Sequence, residues 1–300
     1  MSTAPLALAL GGGGARGLAH IHVLEALDEL GVVPSRIAGS SIGAIIGAAY
    51  AAGLSGAAIR DDVLTSFSRK RLVAGRLWQT RPQSFSDFVA GGGLRLGQLN
   101  AERVLAAFLP PTVAVTFDKL TIPLTVIATD FYACKECPIE TGDVLSALAA
   151  SAALPAVFRP VRREGRILID GGIYNPLPFD RLTGRGEMVV AVDVTGGPEG
   201  DAGRLPTTME AMFGASQLMM HSMIETRLKI SSPDLLLRPS VSRYRVLDFM
   251  RARTILDETL PFKEEAKRGI GALLDLPLPE VEPFEPRLAA AAAMAHLQAR

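Results

Sequence analysis

Gly39, Ser40, Ser41, Ile42 and Gly43 spell GxSxG. At a turn from strand to helix, this pattern lifts a serine hydroxyl clear of the sheet and aims the next backbone N–H at a developing oxyanion. Such a setting suits Ser41 to act as a nucleophile in acyl transfer. The same five letters also occur by chance in glycine-rich chains, as an ordinary turn between two elements. A second glycine cluster, Gly12, Gly13, Gly14, Ala15, Arg16 and Gly17, satisfies GxGxxG. Backbone N–H groups at a helix N-terminus receive pyrophosphate or a tetrahedral oxyanion by the same physics. A dinucleotide fold wants an acidic residue about 20 residues further on. This chain offers Ser35, Arg36 and then GSSIG there, which favours the oxyanion reading.

A serine nucleophile needs a base. The four histidines are His20, His22, His221 and His296. The first two fall on the first predicted helix, His296 in the terminal tail, and only His221 lies where a triad histidine would stand in chain order. It sits inside a long predicted helix, without the loop context of a triad member, so a packed or solvated helix residue is the plainer reading. Asp170 is the better candidate. It follows the apolar run Ile167 to Ile169 and precedes Gly171 and Gly172, so it emerges at a strand end beside residues that let the backbone turn closely. At its ordinary pKa of about 3.9 an aspartate is a poor base for an alcohol, so direct Ser–Asp chemistry requires a dry pocket. A plain Asp-Gly turn is the alternative.

The elements that must hold these residues alternate between strand and helix character, as in an open, largely parallel sheet with helices on its faces. Leu6 to Leu10 reads as the first strand. Apolar residues recur at helical spacing from Ala15 to Leu30, and Gly31 stops that helix. Val32 to Ala38 is a second strand, Ile42 to Ala52 a small-residue helix, and Ser55 to Phe67 another. The stretch from Arg69 to Gly97 is irregular. A helix follows Asn100, then a strand from Pro123 to Asp130, a helix from Asp143 to Ala153, a hairpin from Val161 to Ile169 turning at Glu164 and Gly165, and a strand from Met188 to Val194. Thr207 to Lys229 is the longest predicted helix.

With 300 residues and 48% hydrophobic composition, the chain can bury a sizeable core. Its formal charge is zero, so bulk charge gives no reason to expect nucleic acid as a partner. The first apolar run has no basic residue before it and breaks into glycines, which does not fit a signal peptide. No stretch approaches the roughly 18 uncharged apolar residues of a spanning helix. Cys134 and Cys137 form a CxxC without a second pair or a close histidine pair, so two loop thiols are a plainer reading than a metal or redox site.

Four motifs stand in order: GGGARG at Gly12 to Gly17, GSSIG at Gly39 to Gly43, ASAALP at Ala150 to Pro155, and DGG at Asp170 to Gly172. With these the chain resembles the patatin-like phospholipase family, over roughly the first 200 residues. The resemblance implies a three-layer α/β sandwich with a mostly parallel central sheet, helices on both faces, and hydrolysis of acyl esters in glycerolipids without metal or organic cofactor. Carried over, Ser41 is acylated, Asp170 takes its proton, and Gly12, Gly13, Gly14 and Ile42 supply oxyanion donors. Gly39, Gly43, Gly171 and Gly172 shape the two turns. Arg16 matches the family's basic position and would steady the glycine loop, though a first-turn arginine is equally at home on a surface.

The expected organisation is an acyl hydrolase domain over residues 1–276, then a Pro-rich link and Ala-rich helix over 277–300. The expected partner is a lipid ester, the expected location cytoplasmic or peripheral at the inner membrane surface. Arg69, Lys70, Arg71, Arg76 and Arg81, interleaved with Leu72, Val73, Leu77 and Trp78, could rest on anionic headgroups. An exposed loop is the plainer reading of Arg69 to Arg81.

Overall fold

Strand β1 (Leu6–Leu10) is buried at every residue, and its two faces meet different partners. In the computed structural model, which describes residues 5–68, 99–110, 113, 116–199 and 203–276, Leu6, Leu8 and Leu10 enter one hydrophobic cluster while Ala7 and Ala9 enter another. Successive strand side chains point to opposite faces, so a run that is apolar throughout marks a strand covered on both sides.

The described strands form one sheet of eight. A parallel core runs in the order β3 (Leu124–Asp130), β2 (Arg36–Ser40), β1, β7 (Met188–Val192), β8 (Leu235–Leu237). Beyond β3 the direction reverses. Both β4 (Lys135–Ile139) and β6 (Arg166–Asp170) pair antiparallel with β3, and β5 (Val161–Arg163) pairs antiparallel with β6. The β5–β6 turn has positive φ at Glu164 (49°) and Gly165 (76°), the hand that matches strand twist in tight hairpins.

Helices cover both faces, in three layers. The leucine face of β1 packs against residues of α1 (His20–Leu30), α2 (Ile42–Ala51), α3 (Gly56–Phe67), α4 (Ala101–Phe108) and α5 (Val144–Ser151). The alanine face packs against Phe179 of the short 3₁₀ turn Pro178–Arg181 and Ile224 of α6 (Thr208–Ile230). Two later helices, α7 (Ala252–Glu258) and α8 (Pro261–Leu273), join the leucine side. His22 of α1 bonds the Leu256 carbonyl and the Thr259 hydroxyl, which fastens this end of the chain to the first helix.

Several elements differ from the sequence reading. The second strand begins at Arg36 instead of Val32, because Pro34 lacks an N–H and Val33 stays exposed. It then runs into the GxSxG motif. The first helix is preceded by a 3₁₀ turn, Gly14–Ala19. Strand β4, which carries Cys137, and the three-residue β8 have no counterpart in the periodicity. The irregular stretch 69–97 falls, except for its neighbours, outside the described residues, as do Arg69 to Arg81, His296 and the predicted terminal segment 277–300.

Candidate active site

Ser41 sits between β2 and α2 with φ 52° and ψ −120°, a combination that costs a side-chain-bearing residue energy and persists only where the surroundings enforce it. Close packing enforces it here. A Cβ on Gly43 would lie 2.2 Å from the Leu10 carbonyl oxygen, and one on Gly39 would lie 2.6 Å from the Ala44 nitrogen, so α2 can start hard against the ends of β1 and β2 only through glycines. Ser41 N–H donates to Ser151 Oγ at 2.8 Å, and Ser151 donates onward to the Ile127 carbonyl at 2.5 Å. Ser40 Oγ donates to the Asn175 carbonyl at 2.5 Å. These bonds tie the turn to the last residue of α5, to β3 and to the segment after β6.

Asp170 reaches the same place from the opposite direction. It pairs with Ala128, one residue past the Ile127 that pairs with Ser40, so the antiparallel β6 runs toward the turn and ends beside it. The sequence placed Asp170 at a strand end, and the reversal of that strand is the added finding. Ser41 Oγ donates to Asp170 Oδ2 at 2.6 Å, and Gly172 N–H donates to Oδ1 at 2.8 Å. A Cβ on Gly171 would stand 2.0 Å from the Ile127 oxygen, so only glycine lets the chain turn there against β3. Asp170 is 5% exposed. Burial pushes its carboxyl up to about 6, against the pull of the hydrogen bonds from Ser41 and Gly172.

The glycine loop after β1 lies beside this pair. Gly12 is a correction: its N–H donates to the Pro176 carbonyl at 2.9 Å and is spent, although a Cβ on Gly12 would lie 3.5 Å from Ser41 Cβ. The N–H groups of Gly13 and Gly14 find no acceptor among the described residues. Ile42 is the first residue of α2, where the intrahelical ladder leaves N–H groups without partners. Arg16 is a buried residue and not a surface one: its Nε donates to the Gly13 carbonyl at 3.1 Å, which turns the N–H on the far side of that peptide, that of Gly14, away from the guanidinium. The guanidinium also donates to the Gln217 side-chain oxygen of α6 in the amide orientation that satisfies both groups. Burial lowers the Arg16 pKa to about 10, partly offset by Asp193, so it remains a cation at neutral pH.

No histidine among the described residues bonds Ser41 or Asp170. His20 is buried with Nε2 on the Gly11 carbonyl at 2.8 Å, and burial pushes it down to about 4, leaving it neutral. His22 is held by α7 and Thr259, and His221 is exposed on α6.

Ser41, Asp170, Gly13, Gly14 and Ile42 line a cavity of about 480 Å³. Its other walls are mostly hydrocarbon and aromatic, from α2, α3, α4, α6 and the segment Val246 to Met250. The family model of patatin-like phospholipase matches residues 8–183, a span that contains both Ser41 and Asp170.

The chain belongs to the patatin-like phospholipase family.

An uncharacterized NTE family protein of Mycobacterium tuberculosis is 38% identical over 202 residues, which cover 67% of this patatin-like chain and 52% of the relative. Lysophospholipase nte1 of Aspergillus fumigatus is 32% identical over 201 residues, 62% of this chain and 12% of the fungal protein. The chain thus spans about half the length of the mycobacterial relative and a small part of the fungal one. Among solved structures, VipD from Legionella pneumophila is 16% identical, with 99% of this chain and 75% of VipD covered at a TM-score of 0.43.

Three residues near the patatin-like site were not singled out by sequence reasoning: Ser151, Ser40 and Asn175. Ser151 was visible as a member of ASAALP, but nothing in that motif says that its hydroxyl holds the Ser41 amide. Cys134 and Cys137 lie on the β3–β4 hairpin, the first exposed and the second buried with the Arg166 guanidinium 3.2 Å from its sulfur. Among the described residues no helix is long and apolar enough to cross a membrane.

Proposed function

We propose that this protein is a serine lipid acyl hydrolase that cleaves carboxyl esters of glycerophospholipids through Ser41 and Asp170, with an acyl-enzyme intermediate. The observation that carries this reading is the 2.6 Å bond from Ser41 Oγ to a buried carboxylate at the wall of an apolar cavity of about 480 Å³. Ser41 Oγ attacks the ester carbonyl as its proton passes to Asp170. The tetrahedral oxyanion is received by N–H groups of Ile42, Gly13 and Gly14, at the positive end of the α2 dipole. Asp170 then gives the proton to the departing alcohol, and in the second half takes one from the water that attacks the acyl-enzyme and returns it to Ser41 Oγ as the fatty acid leaves. Arg16 holds the glycine loop through the Gly13 carbonyl and does not touch the reacting atoms.

The hydrocarbon walls suit an acyl chain, and the name of the fungal relative, a lysophospholipase, accords with a glycerophospholipid substrate. A serine-reactive phosphonate should label Ser41, and a panel of phospholipids, lysophospholipids, neutral glycerides and thioesters reads out the leaving group. Along a series of esters of one alcohol, kcat/KM should climb by up to about fourfold per added methylene, since burying each is worth about 0.8 kcal/mol, until the cavity is filled. A series that is flat or falls with chain length would remove the acyl-chain role of the cavity. Preferential turnover of glycerides or thioesters would move the assignment to a neutral-lipid esterase or a thioesterase on the same pair.

The raised Asp170 pKa sets a pH dependence. The base acts only when ionised, so kcat/KM on a soluble ester should rise with pH through a single ionisation near pH 6. His20, held near 4, does not titrate in that range. Activity that is already full at about pH 5 would place the working base at an ordinary carboxylate pKa and outside this pocket.

A further inference from the structure

The cavity wall from Val246 to Met250 also forms part of the protein surface. Leu247 (49% exposed) and Met250 (39%) both line the cavity and face solvent. Leu205 (89%) and Met212 (41%), the latter near the start of α6, are also exposed, as are Leu218 and Met219 farther along the same helix. α6 carries apolar side chains on both sides, since Phe213 and Met220 line the cavity while Met212, Leu218 and Met219 are exposed. Arg245 bridges to Glu210 of α6 at 3.1 Å and so joins the helix to the turn.

The turn itself is basic, and most of the carboxylates that face it come from outside it. Between residues 243 and 253 the chain carries Arg243, Arg245, Arg251 and Arg253 against a single acid, Asp248. All four arginines are exposed. Three of them have a nearby carboxylate, Glu258, Glu210 and Asp248 respectively, yet each of those three side chains remains at least 51% exposed. The rim is also bonded to the glycine loop, because Ala15 N–H donates to the Val246 carbonyl at 2.8 Å.

We propose that this rim, the turn 243–253 with the outward face of α6, docks the protein on an anionic lipid surface and opens the cavity toward the bilayer. The proposal rests on the reading of the cavity as a lipid acyl site. Exposed leucine and methionine side chains enter the interface, and the arginines meet headgroup phosphates that compete with their partly buried carboxylate partners. A lipid drawn from the bilayer then passes Leu247 and Met250 on its way to Ser41 without crossing open water. The surface differs from the segment Arg69 to Arg81 that the sequence suggested, which lies outside the described residues.

The test uses the full chain and phosphatidylcholine vesicles with and without phosphatidylglycerol. Wild type should bind the anionic vesicles more tightly than the neutral ones. The triple variant Arg245→Gln, Arg251→Gln, Arg253→Gln should bind them on the order of a hundredfold more weakly, at roughly fivefold per arginine. Leu205→Ser with Met212→Ser should weaken binding to both kinds of vesicle. Both variants should hydrolyse a soluble short-chain ester within a few fold of wild type, which shows that the site is intact. Hydrogen exchange over 243–253 should be fast in solution and slow on anionic vesicles. Exchange over 243–253 that anionic vesicles leave unchanged would overturn the proposal. So would vesicle binding unchanged in the triple variant. Vesicle binding without any ester hydrolysis would sink the catalytic reading and leave the docking surface standing.

Discussion

Asp170→Asn should lose most turnover and at the same time melt at a higher temperature. Loss of a positioned general base costs about 100-fold to 10,000-fold, and asparagine, nearly the same size, cannot take the Ser41 proton. The stability gain follows from burial. In the folded protein the Asp170 carboxyl is pushed by desolvation from its ordinary value of 3.8 up to about 6. Between those two values the folded state therefore holds more protons than the unfolded one. Stability falls as pH rises through that window, and the full cost is in place above it. At about 1.4 kcal/mol per unit, the cost at neutral pH is on the order of 3 kcal/mol. Asparagine escapes it, still accepts the Gly172 N–H on Oδ1, and can donate to Ser41 Oγ. Thermal unfolding at about pH 8 should show the variant a few degrees above wild type. The difference should shrink toward zero at about pH 4. A gain of the same size at both values would mean that charge burial is not its origin.

Two replacements of Ser41 should separate chemistry from strain. Ser41→Ala and Ser41→Gly should both abolish phosphonate labelling and reduce ester hydrolysis by up to about a million-fold, the scale seen when a nucleophile is removed from a catalytic unit. Their stabilities should differ. Alanine must keep φ 52° and ψ −120° with a Cβ in place, whereas glycine occupies that region freely. Relief of about 1–3 kcal/mol is offset by about 0.5–1 kcal/mol of extra chain entropy, so the glycine variant should be the more stable of the two. Both lose the same bond to Asp170, which cancels in the comparison. Equal melting temperatures would show that the bonds from Ser151 and Ser40 do not hold a strained turn. Labelling that survives in either variant would move the nucleophile to another serine.

Most of the parallel core was legible because its strands are continuous apolar runs, as at Leu6 to Leu10 and Met188 to Val192, whereas the three-residue β8 was too short to announce itself. The pair at the site was legible as two motifs, and the structure brings Ser41 and Asp170 within one hydrogen bond. Strand direction was not. A hairpin such as β5–β6 has the same sequence whichever neighbour it joins, so the antiparallel approach of Asp170 exists only in the tertiary pairing. β4 was hidden because Lys135, Glu136 and Pro138 break the apolar signal on a strand that pairs with β3. Arg16 stood equally as a loop-steadying residue and as a surface cation, because buried arginines are rare and nothing local reveals that Gly13 and Gln217 enclose it. Gly12 belongs to the motif by its letter alone, since its amide is taken by Pro176, a residue far along the chain.

The antiparallel pairing of β6 with β3 also gives the protein a history. Ser41 and Asp170 are 129 positions apart, and their meeting depends on a register of three residue pairs, Ala128 with Asp170, Thr129 with Ile169 and Asp130 with Leu168. A ribosome adding about 5–20 residues per second presents the serine turn roughly 6–26 s before its acceptor is made. During that interval only β1, β2 and β3 of the parallel core can pair, around a hydroxyl that has no carboxylate beside it, since β7 and β8 follow Asp170 in the chain. In the proposed mechanism, the zipping of β6 onto β3 is therefore the step that brings the base to the nucleophile.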